Sequence, residues 1–180
     1  MRSLAYALLL GLVGAAIVHI AVLLMVPAYS ERDAWSKLAA AAGPYSIVRV
    51  SGDETVEPLV SGIDPLFEAA ACRFDLSEAP ARLAGRETVP FWSVSVYDRA
   101  GVNLYSFNDR TADQGLLDLL IVTPAQMLEL RKELPAEYER SVIVETEATE
   151  GIVVVRAFRP DAEWRAEVLR FLEGVTCRPA

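Results

Sequence analysis

The chain has 180 residues, of which 53% are hydrophobic, and its formal net charge is −8. All 25 acidic residues follow position 30, together with 16 of the 17 basic residues, so the body after that position carries −9. A body this acidic repels phosphate backbones and anionic lipid surfaces, which excludes nucleic acid as a partner. About 150 residues remain after an apolar N-terminus, which is enough for one domain with its own core.

The N-terminus predicts a transmembrane helix. After a short tail at 1–3, residues 4–26 carry no charge, and at 1.5 Å per residue they reach across a hydrocarbon core of roughly 30 Å. The alternative is a cleaved signal peptide, because Val26-Pro27-Ala28 has the character of a small-residue cleavage site. The apolar run exceeds the roughly 7 to 15 residues of a signal core, which favours an uncleaved anchor.

One side of this helix is a candidate packing face. Ala7, Gly11, Ala15 and His19 recur every four residues, offering small side chains for close approach and a polar ring at the end. The alternative is an accidental run, since small residues are common in membrane helices. His19 is the only histidine, so the body has no imidazole for acid–base catalysis or zinc binding. We therefore expect no catalytic triad, no metal site and no cofactor.

Residues 27–44 predict a juxtamembrane helix or linker that ends at Gly43-Pro44, and residues 45–180 predict one domain outside the cytoplasm. A capping box with proline at the first helical position starts a helix at Thr123, which ends before Pro135. Another helix covers 161–173. The patterns of alternating and β-branched residues predict strands at 46–50, 72–76, 92–97, 103–108, 116–123, 142–145 and 152–158.

These elements indicate an α+β fold that is mainly β. The transmembrane helix precedes an antiparallel sheet or a distorted β-sandwich with two or three packed helices. The turn at Thr149-Glu150-Gly151 predicts that the last two strands pair with each other. Neither a G-x-G-x-x-G sequence nor a P-loop occurs, so nucleotide chemistry is not expected.

Residues 92–108 predict a hairpin around the turn Asp98-Arg99-Ala100-Gly101. The turn places Tyr97 opposite Asn103 and Ser93 opposite Phe107, with Trp92 in the core. On the other face, stiff aromatic rings and polar groups form a candidate surface for a sugar, a peptide or a partner, made of Tyr97, Asn103, Tyr105 and Phe107. The alternative is the half-buried second side of a sandwich strand.

Cys72 and Cys177 are the only cysteines, and outside the cytoplasm such a pair is normally oxidised. A bond would close a loop of about 100 residues and stabilise the fold by roughly 4 kcal/mol. The alternative is two buried free thiols. Because Arg2 on one side of the span faces Arg32 and Lys37 on the other, the charge bias gives little orientation, and the cysteines favour a periplasmic body.

Several short motifs resemble the bacterial family known as domain of unknown function 1254 (DUF1254), in its short membrane-anchored form. They are Cys72-Arg73-Phe74-Asp75-Leu76 with Ala79-Pro80, then Phe91-Trp92-Ser93-Val94-Ser95-Val96-Tyr97-Asp98, Gly101 and Asn108-Asp109-Arg110. The resemblance covers roughly 45–160 and implies a largely β architecture, without an assigned activity, cofactor or catalytic residue. Longer members join a second domain to this one, which implies that a separate polypeptide supplies it here.

Three functions follow as hypotheses. The first is a single-pass protein of the bacterial inner membrane, with the lipid bilayer and another envelope protein as partners. Its acidic periplasmic body binds or assembles without chemistry of its own, and changes at Gly11 or Tyr105 abolish recovery of the partner. The alternative is an envelope hydrolase or carbohydrate-active enzyme that uses paired carboxylates near Tyr97 and Tyr105. A lone scaffold whose task is tethering is a third.

Overall fold

The fold is an N-terminal helix followed by a body of two β-sheets, an α+β architecture that is mainly β, as predicted. The computed structural model describes residues 2–52, 57–60 and 64–180, without the side chains of 26–33. The described residues form nine strands, which are β1 (Ile47–Arg49), β2 (Phe67–Asp75), β3 (Ala81–Ala84), β4 (Trp92–Asp98), β5 (Asn103–Asn108), β6 (Asp118–Val122), β7 (Val142–Glu145), β8 (Glu150–Phe158) and β9 (Thr176–Pro179).

Helix α1 (Arg2–Ala41) is continuous over 40 residues. It includes both the predicted span and most of the predicted juxtamembrane segment. Its first 24 residues, Arg2–Met25, are long and apolar enough to cross a membrane, a property that signal sequences share. The side chains of Val26-Pro27-Ala28 lie outside the described residues.

The two sheets enclose the main core. Sheet A has the strand order β1-β2-β8-β4-β5, all antiparallel, and sheet B has the order β7-β6-β3-β9, in which β6 and β7 are parallel. Side chains of both sheets meet in one cluster around Trp92 and Leu119, each fully buried. Helix α3 (Arg165–Glu173) adds Val168 and Phe171 to this cluster. The opposite face of sheet A, its outer face, lies against the C-terminal part of α1.

Helix α2 (Pro124–Leu130) confirms the predicted capping box. The Thr123 side chain accepts a hydrogen bond from the Gln126 backbone, and the Gln126 side chain accepts one from the Thr123 backbone. Both reciprocal bonds satisfy donors that the first helical turn leaves unpaired. The predicted pairing of the last two strands is wrong, because β8 lies at the centre of sheet A while β7 lies at an edge of sheet B.

The predicted hairpin forms, but most of its predicted register is wrong. Tyr97 does pair with Asn103; beyond that pair, one extra residue on β5 shifts the alignment, so Val94 lies opposite Phe107. The shift turns Phe107 into the core, where it is 7% exposed and meets Trp92 edge-to-face at 5.7 Å between ring centroids. A one-residue shift exchanges the two faces of a strand, and burial of this large ring favours the observed register.

The predicted disulfide is present between Cys72 on β2 and Cys177 on β9. It joins sheet A to sheet B across the core, with a sequence separation of 105 residues. Because β9 is the last strand and lies at a sheet edge, the bond fastens the C-terminal end of the chain to the centre of the fold.

Candidate functional site

The outer face of sheet A has an apolar half and a polar half. Along β8, Ile152 and Val154 are followed at the same two-residue spacing by Arg156. The neighbouring strand β2 adds two small residues, Ala69 and Ala71, to the apolar half. Alternation along a strand puts these side chains on one face, so the single charge within IVVVRAF marks the point at which the face changes character.

Helix α1 covers the apolar half. Leu38, 4% exposed, packs there beside Ala69 and Ala71. Trp35 strengthens the contact, because the guanidinium of Arg73 lies 5.2 Å and that of Arg99 5.1 Å from its ring centroid. Such cation–π contacts contribute roughly 0.5–1 kcal/mol each at exposed sites. The C-terminal part of α1 is therefore held on the sheet by apolar and by cationic contacts.

A cavity of about 250 Å³ lies between α1 and the sheet. It exists because alanines form the floor where larger residues would fill the space between helix and strand. Its walls are apolar except for Arg99 and for a polar end at which Arg156 and Tyr97 are hydrogen-bonded to each other. The lining residues are Ala34, Leu38, Val50, Val60, Ala69, Ala71, Tyr97, Arg99, Gly101, Ile152, Val154 and Arg156.

Arg156 is the central polar group of this cavity. Its guanidinium donates hydrogen bonds to Ser95 Oγ at 3.2 Å and to Tyr97 Oη at 3.3 Å. The network continues from Ser106 Oγ to Ser95 Oγ at 3.0 Å and from Asn103 Nδ2 to Ser106 Oγ at 2.9 Å. Both partners of Arg156 are neutral hydroxyl groups. Within the described part of the chain, no carboxylate compensates this half-buried charge.

The other arginine at the cavity, Arg99, is compensated. It forms an ion pair with Glu150 at 2.7 Å, and it also contacts Trp35. Its side chain is 63% exposed, so the pair contributes little to stability. Arg156, rather than Arg99, therefore supplies the charge that remains available inside the cavity.

The network changes the acidity of Tyr97. Burial acts to raise the pKa of its phenol, but the hydrogen bonds from Arg156 and Ser95 and the positive charge of Arg156 outweigh burial. The pKa of Tyr97 is consequently lowered from its ordinary value. Arg156 thus stabilises negative charge on an oxygen at this end of the cavity.

Glu68 is a second buried charged residue, and unlike Arg156 it lies next to opposite charges. Glu68 on β2 is 3% exposed and accepts a hydrogen bond from Ser51 Oγ at 2.6 Å. The Nε atoms of Arg159 and Arg165 lie 3.5 and 3.6 Å from its other oxygen. A buried carboxylate flanked in this way by two cations is a structural cluster, because its charge is neutralised within the fold.

The structure divides the predicted ligand face between two sides of the hairpin. Tyr97 and Asn103 lie on the outer face and belong to the Arg156 network. Phe107 is in the core, and Tyr105 lies beside it at 6.2 Å between ring centroids, with 44% of its surface exposed. The four residues do not form one surface: Tyr97 lines the cavity, Asn103 joins its hydrogen-bond network through Ser106, and Tyr105 and Phe107 do neither.

The remaining predictions concern the packing face on α1 and metal binding. The candidate packing face, made of Ala7, Gly11, Ala15 and His19, lies on the exposed apolar part of α1, where Ala7, Gly11 and Ala15 line a shallow groove. Among the residues that the structure describes, no group of three or more His, Cys, Asp or Glu side chains is placed to hold a metal ion.

Sequence reasoning missed the residues that build the cavity, and the signals for them were present. Arg156 interrupts a strand of β-branched residues, and a charge in a buried strand calls for an explanation. The alanines at 69–71 resemble helix rather than strand by propensity, which hid their place on the sheet.

Comparison with known proteins adds a fold likeness. No family model and no curated protein matches the chain. The VPA0106 protein from Vibrio parahaemolyticus, a crystal structure, is similar over 86% of this chain and 36% of its own, with a TM-score of 0.61 and 12% identity. An uncharacterized protein from Burkholderia cenocepacia aligns over 74% and 36%, with a TM-score of 0.48 and 16% identity. The chain spans about a third of the length of each of these two proteins.

Taken together, the cavity offers an apolar floor, a hydroxyl network and one uncompensated guanidinium. Its described lining contains no carboxylate and no histidine. Groups of this kind recognise and orient a ligand, since apolar walls supply contact area and a few polar groups fix its orientation.

Proposed function

We propose that this chain is a membrane-anchored component of the bacterial envelope, whose periplasmic body binds a ligand or a partner without chemistry of its own. The observation that carries the proposal is the continuity of α1, which extends from a membrane-length apolar segment directly into the wall of the cavity. The anchor and the candidate binding site are parts of one structural element.

The disulfide supports a periplasmic location of the body. Disulfides persist in oxidising compartments and are rare in the cytosol. The bond between Cys72 and Cys177 joins the two sheets, so it is part of the fold rather than a surface modification. The orientation proposed for the span is therefore amino terminus in the cytoplasm and residues 45–180 in the periplasm.

The packing of α1 supports an anchor that stays attached. Trp35 and Leu38 follow the apolar segment on the same helix and pack against sheet A. A helix that is anchored in the body at one end and apolar at the other is suited to hold the body at the membrane surface. The competing hypothesis is a signal sequence that is removed, and it predicts a mature protein that starts after the apolar segment.

We further propose membership of the DUF1254 family, with a separate envelope protein supplying the second domain of longer members. The motifs between Cys72 and Arg110 that resemble the family support this idea. A partner would then occupy a surface of the body or contact the stripe of small residues on α1. The hydrolase hypothesis has less support, since the described cavity wall presents arginines where a glycosidase needs paired carboxylates.

A topology experiment tests the location. A protease added to spheroplasts should remove a C-terminal tag from the full-length chain, and the membrane fraction should retain the tag before digestion. A tag that is protected in spheroplasts and digested only after lysis would place the body in the cytoplasm. A tag recovered in the soluble periplasmic fraction, on a chain shortened by its N-terminus, would show a cleaved signal.

Crosslinking tests the assembly role. Cells that express the tagged chain are crosslinked intact and extracted in mild detergent, and the partner is identified by mass spectrometry. Recovery of one envelope protein, reduced in the Gly11→Leu or the Tyr105→Ala variant, is the expected result. Recovery of the chain alone, as a monomer, would reject assembly with a partner.

A further inference from the structure

The cavity beneath α1 has the features of a site for one particular class of ligand. Its floor is apolar, it is closed on one side by the helix, and among its described lining residues the one uncompensated charge is the cation of Arg156. We propose that it binds the carboxylate form of a single-chain fatty acid, with the alkyl chain along Ala69 and Ala71 and the carboxylate at Arg156. This inference deepens the proposed binding function and rests on it.

The donor geometry of Arg156 favours a carboxylate. A guanidinium has five N–H donors, and two of those on Arg156 are occupied by Ser95 and Tyr97. The remaining donors are available to an anion, and arginine recognises planar carboxylates through paired hydrogen bonds. The net negative charge of the body opposes an anion at long range, but salt screens such repulsion beyond about 8 Å. Local groups therefore decide the affinity.

The size of the cavity admits a ligand with one alkyl chain and excludes a ligand with two. Its volume of about 250 Å³ lies just below the range of roughly 300–1,000 Å³ that is usual for small-ligand sites. A phospholipid with two acyl chains does not fit a space of this size. A medium-length alkyl chain, partly exposed at the open side of the cavity, does.

The height of the cavity above the bilayer points to the same ligand. Ala34 follows Met25 by nine residues on a continuous helix, which places it about 14 Å beyond the apolar segment. The headgroup layer on each side of a bilayer adds only about 5–7 Å to the hydrocarbon core. The site is thus in water above the headgroups. A ligand must leave the membrane to reach it, as a fatty acid does far more readily than a two-chain lipid.

Equilibrium dialysis of radiolabelled decanoate tests the proposal, with the full chain held in phosphatidylcholine nanodiscs and empty nanodiscs as background. One saturable site per chain is expected. Decanol, which has the same chain without the charge, should bind at least about 10-fold more weakly, as should decanoate to the Arg156→Gln variant, because a hydrogen bond to a charged group is lost. Arg110→Gln, which removes an exposed charge elsewhere, is the matched control and should bind as the unmodified chain does.

Two variants that fill the cavity complete the design. Ala71→Leu fills it from the sheet and Ala34→Leu from the helix, and each should abolish saturable binding. If Ala71→Leu fails to fold, Ala34→Leu decides, since leucine is well tolerated in a helix.

Three results would overturn the proposal: no saturable decanoate binding, equal binding of decanol and decanoate, or unchanged binding in Arg156→Gln or in a folded cavity-filling variant. Recovery of a partner without decanoate binding would reject the fatty-acid site and leave the assembly proposal intact. Decanoate binding by a chain without a partner would reject assembly and leave the ligand site standing.

Discussion

Removal of the disulfide is expected to lower the free energy of unfolding of the body by an amount that depends on the length of the loop that the bond closes. The bond between Cys72 and Cys177 closes a loop with a separation of 105 residues. The chain-entropy relation gives about 16 cal/mol/K for a loop of this length, or about 4.8 kcal/mol at 25 °C. For a body of about 150 residues, 1 kcal/mol corresponds to roughly 2–4 °C, so the melting temperature should fall by about 10–20 °C.

The assay is urea unfolding of the full chain in a non-ionic detergent, followed by tryptophan fluorescence. With a slope of about 2 kcal/mol/M, the midpoint should fall by about 2.4 M in the Cys72→Ala/Cys177→Ala variant. The unmodified chain in reductant separates the crosslink from the packing of the sulfur atoms, because it retains both side chains. Reductant should leave the double variant unchanged. A loss below about 1 kcal/mol in both the reduced chain and the variant would refute the reasoning.

Three further substitutions have defined outcomes. A methyl group at Gly151 would overlap the Tyr97 carbonyl, so Gly151→Ala should lower the free energy of unfolding in urea by about 1–3 kcal/mol. Gly43→Ala is the control and should be nearly neutral, because a methyl group there meets nothing within 4 Å. Equal losses in the two variants would contradict this reasoning. A Gly11→Leu side chain likewise starts in open space, so a loss of association in crosslinking must arise between molecules, and unchanged crosslinking would reject the packing face. Tyr97 should ionise before an ordinary tyrosine at 295 nm, and Arg156→Gln should raise its pKa. Because the pKa of Tyr97 is lower in the folded state, its ionisation stabilises the fold as the pH rises above that pKa and contributes nothing below it. An unchanged Tyr97 titration in Arg156→Gln would contradict the role of Arg156 in lowering this pKa.

Local signals allowed several elements to be predicted. The Thr123 capping box, the apolar stripe of α3 and the β-branched run of β8 each contain their own information within a few residues. The disulfide was expected because Cys72 and Cys177 are the only two cysteines of the chain. Each of these features depends on chemistry that is adjacent in the sequence or unique in the chain.

Features that depend on distant partners were not predictable in the same way. Strands β3 and β9 have four residues each and form because they pair with each other, while β3 also pairs with β6 on its other side. Strand β2 begins five residues before its predicted start, because alanines that favour helices in isolation fit beneath α1. The turn of the hairpin was recognised, yet the register was set by burial of Phe107 against Trp92.

The cavity and the attachment of the body to its helix depend on the same contact. One wall of the cavity is α1 and the other is sheet A, so a ligand inside it touches both. Apolar surface buried between ligand, helix and sheet adds to the contact that Leu38 and Trp35 already make, at about 25 cal/mol per Å². A ligand in the cavity would therefore strengthen the attachment of the body to α1 by the same free energy with which that attachment favours the ligand.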